Sequence, residues 1–191
     1  MARGPEFDLA RELARPGFTP GARDAAALVE LIIAGDEPAA TRAAPAVAGL
    51  GATGRAAVAV RLPDVEDGAK ARLIAVLGLL ARAGDGEARA RLIAAVSGTS
   101  AEAMPRARRA AIVALGKLGA GRDAEDAEAL ADVRAALIAR WDAGGAAADE
   151  RRSLAEALGK LGGDEALARL VALDAGDDAE LVRRRDRAVL M

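Results

Sequence analysis

The 191-residue chain contains no cysteine, no histidine and no tyrosine. Each absence closes a class of chemistry. Without cysteine there is no disulfide, no thiolate metal site and no thiol nucleophile. Without histidine the commonest general base and the commonest transition-metal ligand are missing together. Aromatic residues are 2% of the sequence, two phenylalanines and one tryptophan, so platforms for stacking nucleic-acid bases are scarce. No stretch reaches the roughly 18 uncharged apolar residues of a membrane-spanning helix. The N-terminus carries no basic segment followed by an apolar run, the mark of an export signal. These absences lead to the expectation of a cytoplasmic protein that holds no cofactor or metal and does not bind a membrane.

Neither sign of charge dominates. Lys and Arg number 27 and Asp and Glu 29, a net charge near −2. No global field draws a polyanion to this chain, so any such site is a local patch. Hydrophobic residues are abundant at 52%, and Ala, Leu and Val supply them in place of aromatics. Ala and Leu are the strongest helix formers, β-branched runs are nearly absent, and Ala-rich faces let helices approach closely. The fold class expected is all-α, and 191 residues suit one core or one array of repeats.

The array is visible in the text of the chain. Residues 108–119 read RRAAIVALGKLG and return as RRSLAEALGKLG at 151–162. A fainter copy, AKARLIAVLGLL, occupies 69–80, and a fainter one still lies at 45–51. A Leu-Gly pair anchors each, at Leu50-Gly51, Leu77-Gly78, Leu115-Gly116 and Leu158-Gly159, at intervals of 27, 38 and 43 residues. Internal repetition on this scale signals stacked supersecondary units, none of which has enough large side chains to close a core alone. Gly78, Gly116 and Gly159 cost helix propensity, which close helix contact must offset.

Taken in order, a short helix within 6–15 ends before Pro16, and Pro16-Gly17 and Pro20-Gly21 mark a linker at 16–22. Residues 1–22 therefore read as an N-terminal segment and linker, and 23–191 as the repeat region. Helices are expected at 25–34, from 37 to about 50 with Pro38 in the first turn and Pro45 inside, at 64–83 capped by Asp64, and at 86–97 capped by Asp85. Thr99 to Glu102 matches a capping box, and Pro105 kinks or restarts the helix that ends at Gly119. Further helices are expected at about 126–142, 149–161 and 164–173. A last helix opens at the capping box from Asp177 to Glu180 and runs to Met191. Gly49 to Gly54 spells GxGxxG, but a dinucleotide fingerprint needs a strand before it and a long helix after it. Here no strand pattern precedes, and Pro63 closes the following segment. The stretch reads as a Gly-rich turn between helices.

Paired amphipathic helices, the first ending in ALGKLG, then a Gly-Asp turn, a second helix and an Arg-rich restart, resemble the HEAT-like helical repeat family. The pattern is most similar to the short bacterial repeats grouped with phycobilisome-lyase repeats. The resemblance spans residues 23–191 and is best over 67–174, at Leu115 to Leu118 and Leu158 to Leu161. It implies a right-handed α-solenoid of about five helix pairs whose surface binds partners, with no shared catalytic residues. The implied function is a non-enzymatic scaffold or adaptor for a protein partner. The alternative is a nucleic-acid-positioning domain of a larger RNA- or DNA-modifying enzyme, such as a methyltransferase. A bilin-lyase-like role has no identifiable residues to hold a tetrapyrrole.

Candidate binding residues come from a recurring basic pair seven and six residues before each repeat leucine. Arg108-Arg109 precede Leu115, Arg151-Arg152 precede Leu158, and Arg183-Arg184 precede Leu190, extended by Arg185 and Arg187. Lys70 takes the first position before Leu77. Equivalent positions in stacked repeats align, so these residues make a basic ladder, and the guanidinium fork suits phosphate or carboxylate. Asp149-Glu150, Asp177-Asp178 and Glu180 lie within a turn or two of the same arginines. Three roles stay open for the ladder: internal ion pairing, an acidic protein partner, or a nucleic-acid backbone. Trp141 is a candidate hot spot or, at helical spacing with Leu137 and Ile138, a core residue. The run from Asp64 to Gly68 fails the calcium-loop spacing, and the serines and threonines lack an activating base. The apolar stripe at 187–191 leads to the expectation that the C-terminal end continues or docks on a further domain or subunit.

Overall fold

The computed structural model describes residues 8–98, 104–120, 130–173 and 178–190. Among these, every regular element is helical, as the composition requires. The α-helices are α1 (Leu9–Glu12), α2 (Ala25–Ala34), α3 (Glu37–Gly49), α4 (Ala52–Arg61), α5 (Asp67–Arg82), α6 (Gly86–Ser97), α7 (Pro105–Gly119), α8 (Ala131–Asp142), α9 (Ala148–Leu161), α10 (Asp164–Val171) and α11 (Ala179–Val189). Short 3-10 turns lie at Ala22–Asp24 and Leu62–Asp64.

Local chemistry sets several of these boundaries. Asp36 and Asp85 accept hydrogen bonds from the Ala39 and Ala88 N–H groups, 2.8 and 3.0 Å away, and so cap α3 and α6. Pro105 stands at the first position of α7, where its missing N–H costs nothing. Pro45 lies inside α3, which runs through it. Asp64 does not cap α5. The Leu62-Pro63-Asp64 turn buries Leu62 completely, and α5 starts after it with Glu66 at its N-cap. The last helix stops at Val189, with Leu190 as its C-cap, rather than running to Met191. The capping-box residues 99–102, the first part of the helix expected from 126, and Asp177 lie outside the described residues. Gly51 adopts φ +56° in the turn between α3 and α4, a conformation that favours glycine. The GxGxxG stretch is thus a helix–turn–helix joint.

Helices α3, α5, α7, α9 and α11 contact one another in that order, and α6, α8 and α10 lie against the same row. The core follows the row. Leu73, Ile74 and Leu77 of α5, Ile112 and Leu115 of α7, and Leu154 and Leu158 of α9 are fully buried. Helices α5, α7, α9 and α11 run in the same direction, since each meets the next both near their starts and in their later turns. What brings them together is glycine opposite alanine. A Cβ on Gly78 would stand 2.7 Å from the Ala114 Cβ, and one on Gly116 would stand 2.7 Å from the Ala157 Cβ. Gly159 meets Ala188 in the same way, where an added Cβ would lie 2.7 Å from the Ala188 Cα. The helix propensity lost at each glycine is thus exchanged for backbone approach and dispersion contact.

Candidate binding groove

Side by side, α5 and α7 leave a seam that opens on one face into a groove of about 960 Å³. The stripe on α5 that faces it recurs at helical spacing as Arg72, Ala75, Leu79 and Arg82, and that on α7 as Arg106, Ala110, Val113 and Lys117. Small side chains thus form the floor and cations form the walls. Val113, 40% exposed, is the large apolar group left open there. Asp64 and Glu66 stand at the end of the groove where α5 begins.

Six cations line the groove against these two carboxylates. Two of the six are spoken for. Arg61 donates to Glu30 Oε1 at 2.6 Å, and Arg109 pairs with Asp149 of α9 at 3.0 Å. Arg72 donates one N–H to the Ile33 carbonyl, and its buried Nε has no acceptor. Among the described residues Arg82, Arg106 and Lys117 form no side-chain ion pair. The four remaining cations give the groove a local positive field that the chain as a whole lacks.

Its geometry is fixed by a contact across the seam. The Asp67 carboxylate of α5 accepts hydrogen bonds from the Arg106 N–H at 3.0 Å and the Ala107 N–H at 2.9 Å. It therefore caps α7, whose own N-cap residue, Met104, has no side-chain acceptor. That role was invisible in the sequence, because the acid and the helix it caps are about 40 residues apart.

The basic ladder has a different fate. The glycine–alanine contacts set the register, with Ala114, Ala157 and Ala188 equivalent. Counting back, Arg109, Arg152 and Arg183 share one position, and Lys70, Arg108, Arg151 and Val182 share the one before it. Aligning Arg183-Arg184 on Leu190 is therefore one residue out of register; Leu190, 87% exposed, stands where the earlier helices have glycine. The first position turns inward. Lys70 is buried, and Arg108 lies 3.8 Å from the buried Glu150, which also accepts from Arg140 Nε at 2.6 Å. Arg151 is half-buried beside Trp141 and Leu154. The second position faces carboxylates. Arg152 pairs with Asp178 and Asp149, both within 3.2 Å, and Arg183 pairs with Glu180 at 2.7 Å. Arg184 bridges Glu180 and Glu156 at 2.8 and 2.7 Å, and Arg185 pairs with Asp186 at 2.7 Å. Arg187 is exposed near Glu156, whose carboxyl lies below its ordinary value chiefly through the Lys160 hydrogen bond, against the opposing effect of burial. Arg152, Arg183, Arg184 and Arg185 of the ladder are thus ion-paired, whereas Arg151 and Arg187 make no ion pair among the described residues.

Trp141 is half-buried, packed against the core, and borders a small cavity of about 250 Å³ with Arg151 and Leu173. No group of three or more acidic residues among those described is placed to hold a metal. No described helix is long and apolar enough to cross a membrane. No protein-family model matches this chain, and no curated protein matches it in sequence.

Proposed function

We propose that the chain is a non-enzymatic, HEAT-like scaffold, a right-handed α-solenoid that binds a protein partner through the groove between α5 and α7 in a cytoplasmic setting. The observation that carries this reading is the groove itself, with an apolar floor and four cations that form no ion pair among the described residues. Support for the repeat architecture comes from the same-direction row of helices and the recurring glycine–alanine seam. Stacked units of this kind present long surfaces suited to extended ligands.

The competing reading, a nucleic-acid track, requires the cationic stripe to continue along the row. On α9 and α11 it is interrupted, because Asp149, Glu156, Asp178 and Glu180 pair with Arg152, Arg183 and Arg184 there. The groove also lacks aromatic lining residues on which bases stack.

Selection of random peptides displayed on phage against the immobilised chain tests the scaffold reading. A parallel selection uses Ala75→Trp, which fills the exposed floor of the groove. Enrichment of peptides that lose binding to Ala75→Trp is the expected result. Absence of any groove-dependent peptide, together with salt-sensitive binding of single-stranded RNA or duplex DNA, overturns it.

A further inference from the structure

Resting on the scaffold reading, we infer that the groove between α5 and α7 takes an extended, acidic segment of a partner protein, with carboxylates alternating with apolar side chains. Three observations converge on that chemistry. Arg72, Arg82, Arg106 and Lys117, which form no ion pair among the described residues, sit on both walls, two from each helix. Guanidinium groups bind carboxylates bidentately, and such exposed sites need not be desolvated fully to attract a ligand. Between the walls, the floor at Ala75, Leu79 and Val113 is apolar.

Length and period follow from helix geometry. From Gly68 to Arg82 the stripe on α5 advances about 21 Å at roughly 1.5 Å per residue. An extended segment rising about 3.3 Å per residue covers that distance with about six residues. Its side chains alternate between opposite faces, so apolar residues meet the floor while the intervening carboxylates lie at the rim, where the long Arg and Lys side chains extend. The seam is narrow, because α5 and α7 touch at Gly78 and Ala114, which favours one extended strand over a helix. Asp64 and Glu66 at the mouth give the groove a direction, repelling carboxylates there and drawing them toward Arg82 and Lys117.

The test is fluorescence anisotropy with a fluorescein-labelled decapeptide of alternating Glu and Leu, run at low and high salt. A Gln/Leu peptide of the same length and a single-stranded RNA are measured alongside. The variants are Arg106→Glu with Lys117→Glu, both exposed and without an ion pair among the described residues, and Arg183→Glu on α11 as a control. Circular dichroism confirms that all are folded. The expected result is saturable Glu/Leu binding, weakened about tenfold or more by the double reversal and by salt, and unchanged in Arg183→Glu. Equal binding of the Gln/Leu peptide, or indifference to the double reversal, overturns the inference. So does tighter, groove-dependent binding of the RNA. Failure here can be told from failure of the scaffold reading: if the displayed peptides that depend on the groove are neutral or basic, only the acidic chemistry falls.

Discussion

Arg152 of α9 holds Asp178 through Nε and Nη2 at 3.0 to 3.2 Å, while the same carboxylate accepts from the Leu181 N–H at 2.9 Å and caps α11. One acid thus starts a helix and ties it to its neighbour.

This double duty makes the contact between α9 and α11 sensitive to acid. The Asp178 carboxyl lies below its ordinary value, first through the Leu181 N–H and then through Arg152. Glu180 is lowered by Arg184 and Arg183. A carboxylate whose folded pKa is depressed stabilises the fold above its unfolded value, about 4, and that stability is lost as pH falls through the lower folded value. The melting temperature should be flat from about pH 7 to 5 and drop below about pH 4. Asp178→Asn should melt lower at neutral pH and show a shallower acid drop. Thermal melts by circular dichroism across pH check this.

Gly116→Ala sets two effects against each other. Replacing a helical glycine gains about 1 kcal/mol of propensity. The new methyl, however, meets Ala157 Cβ at 2.7 Å and its Cα at 2.8 Å, and a backbone atom cannot step aside. Overpacking of this kind costs about 1–3 kcal/mol, so the variant should be less stable. Gly68→Ala, whose nearest neighbour would be an Arg106 nitrogen at 3.6 Å, should be neutral or stabilised by a few tenths of a kcal/mol. Urea midpoints of the pair decide the matter.

Asp67→Ala removes the cap of α7 without touching α7. A loss of about 1 kcal/mol is expected, or about 2–4 °C in a chain of this size. Hydrogen exchange should show the loss first at the Arg106 and Ala107 amides, and the Asp67→Asn variant should retain more protection than Asp67→Ala.

Glu150→Ala leaves Arg140, whose side chain is only 14% exposed, without its carboxylate. Arg108 loses the same partner. Breaking a buried pair from one side costs about 3 kcal/mol or more. Glu150→Gln keeps an acceptor for Arg140 and should cost less. Denaturant titration with an unchanged slope would assign the difference to the native state.

The helices and the seam were legible because they leave local marks. Leu-Gly at the end of α5, α7 and α9 announced both the repeat and the close contact. Gly-Asp turns announced α6. Features joining residues about 40 apart in the chain were not legible. Asp67 carries no sign that it caps the helix beginning at Pro105. Nothing local tells Arg106 and Lys117, which form no ion pair among the described residues, from Arg109 and Arg152, which do. The most conspicuous repetition runs through Arg109, Arg152 and Arg183, which are ion-paired, whereas the cations of the groove flank that pattern. The register of α11 slipped by one because Leu190 mimics the repeat leucine, while Ala188 is the residue that meets Gly159.

The half-buried position of Trp141 between α8 and the start of α9 has a spectroscopic consequence. In a chain with one indole and no tyrosine, emission excited selectively at tryptophan comes from this corner alone. Far-ultraviolet ellipticity, in contrast, sums over every helix. Two unfolding curves recorded on one sample therefore watch one interior corner and the whole, and their coincidence or separation measures how far cooperativity travels along the row.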